Sequence, residues 1–219
     1  MNVQANFSRK CLALIAAIIF PGATTAEPDR KVALDDVHTI RFATTEQATK
    51  LLGTTDAWVE ACGQFDRQVR VQSEEPVTRE AFLKFATANV LDWDAQEITK
   101  MTGIVESMRA KITALSLDLD LPAEILLVQT TGIEEGNAGG YTRAAAIVIP
   151  ERQLQSTSEQ LESFMLHELF HVMTRHNPTV RIPIYELIGF QYCGEIEYPR
   201  ELIPRRITNP DAFHFDACI

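Results

Sequence analysis

Two histidines stand four residues apart in the segment HELFH, as His167 and His171, and Glu168 directly follows the first of them. In an α-helix, residues four apart lie one turn apart on the same face, so both imidazoles can reach one ion at the zinc–nitrogen distance of about 2.0–2.1 Å. Glu168 is turned by about 100° from His167, which places its carboxylate beside the ion. The spacing therefore predicts a zinc site with two histidine ligands, and a glutamate that acts as general base on a zinc-bound water.

The residues around this motif favour a helix that packs into the core. Its apolar members are Leu161, Phe164, Met165, Leu169, Val172 and Met173. Histidines and a glutamate on a buried helix carry an energetic cost unless they are paired or bind a metal. The alternative is an ordinary core helix whose histidines bond to carbonyls or carboxylates, and we favour zinc over it.

Turn and cap signals set the limits of this helix. Ser156 and Glu159 fit a capping box at its start, and Asn177 before Pro178 ends it near His176. Upstream, residues 124–131 and 141–150 have the composition of two strands, separated by a glycine-rich loop. We therefore expect the motif on a helix that directly follows strands.

The first 26 residues have the layout of a secretory signal peptide. Arg9 and Lys10 precede an apolar run at residues 11–20, and small residues follow up to Ala26. The run is too short to span a bilayer as a helix, although a retained membrane anchor is the alternative. We expect cleavage after Ala26, export to the periplasm or the extracellular space, and no stable membrane span in the mature chain.

The remaining chain is expected to form a single domain, residues 27–219, of the α+β class. Residues 44–118 show apolar positions at helical spacing, 124–176 hold the strands and the motif helix, and 177–219 form a C-terminal segment. We expect a mainly helical fold with a small mixed sheet next to the active-site helix. Because 30 acidic residues outweigh 20 basic ones, the chain is poorly matched to nucleic acid. The oligomeric state is left open.

The helix that carries HELFH resembles the active-site helix of the zincin metallopeptidases. Across residues 124–213, four stretches resemble a group of uncharacterised secreted bacterial zincin-like proteins: TTGIEEGNAGGYTRAAAIVIP, HELFHVMTRHNP, YELIGFQYCGEIEYP and RITNPDA. The resemblance implies a peptide or protein substrate and a metal-activated water that attacks a peptide carbonyl. It does not imply which peptide is cut.

One departure from a familiar pattern narrows this resemblance. Metzincins continue the motif to HExxHxxGxxH, whereas Thr174 and Asn177 occupy the glycine and last histidine positions here. On a continuing helix His176 points roughly 140° away from His171 and roughly 180° away from His167. His176 is therefore interpreted as a cation at the helix C-terminus, and the chain as gluzincin-like.

A third ligand must come from downstream, because two histidines alone make a weak zinc site. In gluzincins the third ligand is a glutamate some way after the motif, and three glutamates are available. We rank Glu195 first, Glu197 second and Glu186 third. Glu195 and Glu197 would share one face of an extended segment, so one can ligate while the other supports a histidine.

In zincins, the strand before the active-site helix borders the cleft and pairs with substrate, and residues 144–150 occupy that place in the sequence. An extended peptide would then bind by strand addition. Tyr141 and Arg143 precede this strand and are candidates to stabilise the oxyanion or bind substrate. The alternative is that they are a strand-end aromatic and a surface charge.

Signal cleavage leaves three cysteines, so two can pair and one is left over. The sequence does not decide among Cys62, Cys193 and Cys218, with a weak preference for Cys193 with Cys218. The predicted function is a secreted zinc metallopeptidase. A non-catalytic binding protein on a zincin scaffold and a zinc hydrolase of a non-peptide substrate are the alternatives. The presence of Glu168 argues against a binding protein, which needs no base.

Overall fold

The computed structural model describes residues 30–219, so the predicted signal peptide lies outside the described residues. The main sheet consists of β1 (Lys31–Ala33), β2 (Thr39–Phe42), β3 (Val90–Leu91), β4 (Glu124–Thr130), β5 (Tyr141–Arg143) and β6 (Ala146–Pro150). Its strands lie in the order β1-β2-β4-β6-β5, and β3 pairs with the end of β4. Neighbours among β2, β4 and β6 are parallel, whereas β1 and β5 run antiparallel at the two edges.

Five helices are inserted between strands of this sheet, and two follow its last strand. They are α1 (Thr45–Leu52), α2 (Ala57–Ala61), α3 (Gln64–Val71), α4 (Arg79–Ala88), α5 (Ala95–Ala114), α6 (Ser158–His176) and α7 (Pro178–Leu187). A second, two-stranded sheet pairs β7 (Gln191–Tyr192) with β8 (Ala217–Cys218). Of the described residues, 48% are helical and 15% lie in strands, so the predicted α+β class is confirmed.

The segment that was predicted as one strand, residues 141–150, is a hairpin. Ala144 adopts a left-handed backbone conformation with φ of 48°, and the chain turns there so that β5 folds back antiparallel on β6. Consequently β6 lies inside the sheet between β4 and β5, and β5 is the edge strand. The prediction that residues 144–150 form a strand that pairs with substrate was wrong, and of these residues only Ala144 lines the cavity described below. An alanine at positive φ leaves no glycine or asparagine signal in the sequence.

Helix α6 begins at a capping box one residue later than predicted. The Thr157 hydroxyl accepts from the Gln160 N–H at 3.3 Å, and the Gln160 side-chain oxygen accepts from the Thr157 N–H at 3.0 Å. Ser156 instead closes a preceding 3₁₀ turn through its N–H bond to Gln153. Ser156 with Glu159 and Thr157 with Gln160 both fit the capping-box pattern. The second pair forms the cap because the 3₁₀ turn already uses Ser156. The helix ends at His176, as predicted.

The main core lies between the sheet and helices α5 and α6. Helix α6 contributes Leu161, Met165, Leu169 and Val172, which pack with β4, β6 and the apolar stripe of α5. Full burial of one such side chain contributes about 1.5–3 kcal/mol, so α6 is held firmly by this face. Its opposite face is left to carry polar side chains toward a cavity.

Within the described residues, no helix combines the length and the apolar character that crossing a membrane requires.

Candidate functional site

The two motif histidines lie next to each other in the lining of a cavity. Their Nε2 atoms lie 3.1 Å apart and their ring centroids 4.8 Å apart. The cavity has a volume of about 1210 Å³ and lies among α6, α7, the β5 edge and the segment 210–217. Because its concave shape places a ligand next to the histidine pair, it is the candidate site.

The geometry of the pair fits a zinc ion. Two nitrogens bound to one tetrahedral zinc are separated by about 3.3 Å, given zinc–nitrogen distances of about 2.0–2.1 Å. The observed 3.1 Å is close to that value, although a direct imidazole–imidazole hydrogen bond uses the same atoms. Burial lowers the pKa of His171, and the neighbouring Asp211 charge only partly opposes this. The neutral imidazole that a metal requires is therefore favoured.

Glu168 is buried behind the pair. Its side chain is 4% exposed, it does not line the cavity, and its Oε2 atom is buried without a hydrogen-bond partner. Burial raises the pKa of this carboxyl to about 8, with a further contribution from Asp211 that Arg175 opposes. In the metal-free protein the group is therefore mostly protonated at neutral pH, and a divalent cation beside it would favour the carboxylate.

None of the three glutamates proposed as third ligand, Glu195, Glu197 and Glu186, lies beside the motif histidines. Glu195 accepts a bond from the backbone N–H of Phe215 at 3.2 Å and contacts Nδ1 of His214 at 3.2 Å. Glu197 and Glu186 are exposed. Among the described residues, no group of three or more His, Cys, Asp or Glu side chains is placed to hold a metal ion. The identity of the third ligand stays a prediction. Glu195 contacts His214, which lines the same cavity as the histidine pair.

Tyr141 and Arg143, the residues proposed to stabilise the oxyanion, are both bonded to other side chains. Tyr141 is buried, does not line the cavity, and donates its hydroxyl to Glu134 at 3.2 Å. Arg143 lines the cavity but is only 3% exposed, so it is not a surface charge. Its guanidinium donates to Asp56 at 2.6 Å and lies 5.0 Å from the centre of the Trp58 ring. Arg143 therefore fixes the base of the cavity.

Two charged residues that the sequence did not single out lie at this site. Oδ1 of Asp211 accepts from the Thr142 N–H at 2.6 Å and from its hydroxyl at 2.7 Å. Arg175 donates to the Thr142 hydroxyl at 2.8 Å and to the Pro210 carbonyl at 3.0 Å. The C-terminal segment is thereby docked on the β5 edge. A peptide strand can pair with the sheet at Thr142 only if Asp211 moves away, because the outward N–H of Thr142 is already bonded to Asp211.

A buried network anchors the start of this segment. Thr208 is 1% exposed, and its hydroxyl accepts from the Trp58 indole N–H at 3.1 Å and donates to Asp66 at 2.5 Å. Arg70 donates to the Thr208 carbonyl at 2.5 Å and pairs with Asp66 and Glu135. Thr208 is therefore held in place, and the cavity wall, residues 210–217, begins two residues after it.

Aromatic side chains line the part of the cavity next to α7. The Phe170 and Tyr185 rings stack with centroids 6.1 Å apart, and the Tyr185 and Phe190 centroids are 5.9 Å apart. All three residues line the cavity. Such a wall favours a ligand with a bulky apolar group close to the histidine pair.

Compared with protein-family models, curated proteins and solved structures, this chain matches none. Its resemblance to zincins therefore rests on its own residues, chiefly HELFH and the stretches on either side of it.

Proposed function

We propose that this chain is an exported, zinc-dependent metallopeptidase. The observation that carries the proposal is the separation of 3.1 Å between Nε2 of His167 and Nε2 of His171, at the edge of a cavity of about 1210 Å³. The adjacent Glu168 completes the residue types that metal-assisted hydrolysis requires. Export is proposed from the signal-like sequence of residues 1–26.

Each residue of the motif has a distinct role in this proposal. His167 and His171 would hold the zinc, which when bound would lower the pKa of a water molecule and polarise the substrate carbonyl. Glu168 accepts the proton of the attacking water and delivers it to the departing amine nitrogen. Burial raises the pKa of Glu168 to about 8 in the metal-free protein, and a bound cation would favour the carboxylate that acts as the base.

The lining of the cavity supports peptide as the substrate. Its aromatic wall beside α7 suits an apolar side chain, and Arg175 in its polar wall already donates to the carbonyls of Pro210 and Asp211. His214 lines the cavity with Nδ1 on Glu195, an arrangement in which a carboxylate orients an imidazole.

One observation favours a second candidate, a binding protein without catalysis. Glu168 is 4% exposed and does not line the cavity, so its carboxylate does not reach a ligand in this conformation. The remaining alternative, a zinc hydrolase of a non-peptide substrate, would use the same site residues and would differ from the peptidase only in its substrate.

Zinc-dependent cleavage of a mixed peptide library tests the proposal. We expect cleavage by the purified protein, its loss on chelation, and its return on addition of zinc. His167→Ala should be inactive under all three conditions. A zinc-loaded protein that binds library peptides without cutting them would instead support the binding protein.

A further inference from the structure

Cys218 belongs to β8, and Cys193 directly follows β7, on the same side of the two-stranded β7–β8 sheet. Cys218 pairs with Gln191, and the Cys193 N–H donates to the Asp216 carbonyl at 2.9 Å. Side chains two apart on a strand point the same way, so the two cysteines are diagonal neighbours. A hydrogen bond between their thiols is the main cause that raises the pKa of Cys193 above its ordinary value.

The third cysteine of the described residues is in a different situation. Cys62 is 3% exposed, and its Sγ lies 3.4 Å from the Thr208 hydroxyl. Burial raises the pKa of the Cys62 thiol, which disfavours the thiolate that reacts. Cys193 and Cys218 are both exposed. An oxidant can therefore reach the pair on the β7–β8 sheet and not Cys62.

We propose that Cys193 and Cys218 form a disulfide bond that fixes one wall of the cavity. Diagonal neighbours have Cα atoms about 7–8 Å apart, slightly beyond the usual limit of about 6.8 Å for a disulfide. The strands must therefore draw together slightly. The sheet has only two residue pairs, and both cysteines are at the surface, so little packing opposes this movement.

The reaction is a thiol–disulfide exchange with a small-molecule disulfide as oxidant. The Cys218 thiolate attacks one sulfur of the oxidant, which forms a mixed disulfide and expels one thiolate. The Cys193 thiolate then attacks the Cys218 sulfur and expels the second thiolate. The cysteine pair loses two electrons to the oxidant, and the two protons of the cysteine thiols end on the two thiols released.

The bond would close a loop that carries the cavity wall. Residues 210–217 line the cavity and lie between the two cysteines, and Asp211 and His214 belong to them. Within the described residues, Thr208 anchors the start of this wall, and the two-pair sheet holds its end. A disulfide removes conformational freedom from the unfolded chain, and long loops gain most. We therefore expect the oxidised protein to be more stable, with a wall that opens less often. This holds whether or not the cavity hydrolyses peptides.

Peptide mapping after equilibration in oxidised and reduced glutathione tests the bond. Trypsin places Cys62, Cys193 and Cys218 in separate peptides, residues 51–67, 182–200 and 207–219. We expect the last two peptides joined within one chain, and Cys62 recovered as a free thiol. Separate glutathione adducts on Cys193 and Cys218, a bond to Cys62, or a bond between two chains would each overturn the proposal.

Thermal unfolding and hydrogen exchange test what the bond does. Oxidation should raise the Tm by several degrees and slow amide exchange in residues 210–217. Cys193→Ser and Cys218→Ser should abolish both effects, whereas Cys62→Ala should retain them. If the bond forms while Tm and exchange stay unchanged, its role in holding the wall is wrong.

Discussion

Nε2 of His167 and Nε2 of His171 lie 3.1 Å apart on successive turns of α6, with both rings at the edge of the cavity. The apolar side of the same helix is buried against the sheet, which keeps the two imidazoles in place. A pair held in this way needs little rearrangement to take up one ion, so metal binding should depend strongly on both residues.

Zinc content is the first prediction. We expect about one zinc per chain in protein purified without chelator, and its loss in His167→Ala and His171→Ala, because each change removes a ligand. Both variants should also have a lower Tm than the zinc-loaded parent, since binding to the native state adds to stability. The matched control is His176→Ala, which alters an exposed histidine at the end of the same helix and should keep zinc. Metal-free parent protein would contradict the prediction.

The third ligand is the second prediction. Among the three glutamates we expect Glu195→Ala to weaken zinc binding most, measured by competition with a chromophoric chelator. A loss of about 10–100-fold, together with a larger loss in His214→Ala, would indicate that Glu195 acts by orienting His214. A larger loss in Glu195→Ala alone would indicate direct ligation. If Glu195→Ala binds like the parent while Glu197→Ala or Glu186→Ala does not, the ranking is wrong.

The pH dependence of stability is the third prediction, and it concerns metal-free protein. The folded protein holds the Glu168 proton up to a pKa of about 8, whereas the unfolded chain releases it near 4.5. The stability that this proton contributes is therefore complete below pH 4.5 and lost as the pH rises through about 8. Glu168→Gln should remove this dependence, which we expect to be on the order of 5 kcal/mol.

Urea unfolding of both proteins across this pH range measures the effect. The lowered pKa of His171 acts in the opposite sense, because its contribution is lost as the pH falls through its ordinary value of 6.5. That contribution is common to both proteins, so the difference between their free energies of unfolding isolates Glu168. A difference that stays constant from pH 4.5 to 8 would contradict the assignment.

The anchor of the cavity wall provides the fourth prediction. Thr208→Val keeps the shape of the side chain but removes the hydroxyl that bonds Trp58 and Asp66. An unpaired buried polar group costs about 1–3 kcal/mol, so the free energy of unfolding should fall by at least this amount. Thr113→Val, at an exposed position of α5, is the control and should change stability by less than about 0.5 kcal/mol. Equal effects of the two substitutions would show that the anchor contributes nothing.

Local patterns predicted the parts of this fold that depend on local interactions. The apolar stripe of α5 and the end of α6 before Pro178 were both visible in the sequence, because helical spacing and proline act over a few residues. The hairpin at Ala144 was not, since nothing in TRAAA marks a residue at positive φ. The helix start moved by one residue because two overlapping capping patterns compete there.

The site itself was predicted only where its residues share a helix. His167 and His171 come together through a single turn of α6. Thr142 and Asp211 are 69 residues apart in the chain, and Arg143 and Asp56 are 87 apart. These pairs form because the C-terminal segment and α2 dock on the β5 edge. The spacing of residues in the sequence does not predict this docking. The signal available for Asp211 was the stretch RITNPDA in the resemblance to zincin-like proteins.

The fifth prediction tests the central claim, that Glu168 is the base of a zinc peptidase. The direct measurement is kcat/KM for a peptide selected from the cleaved library, with parent and Glu168→Gln loaded with equal amounts of zinc. A general base contributes typically 10²–10⁴-fold, so we expect Glu168→Gln to keep its zinc and lose at least about 100-fold in kcat/KM. Equal cleavage by the two zinc-loaded proteins would contradict the mechanism.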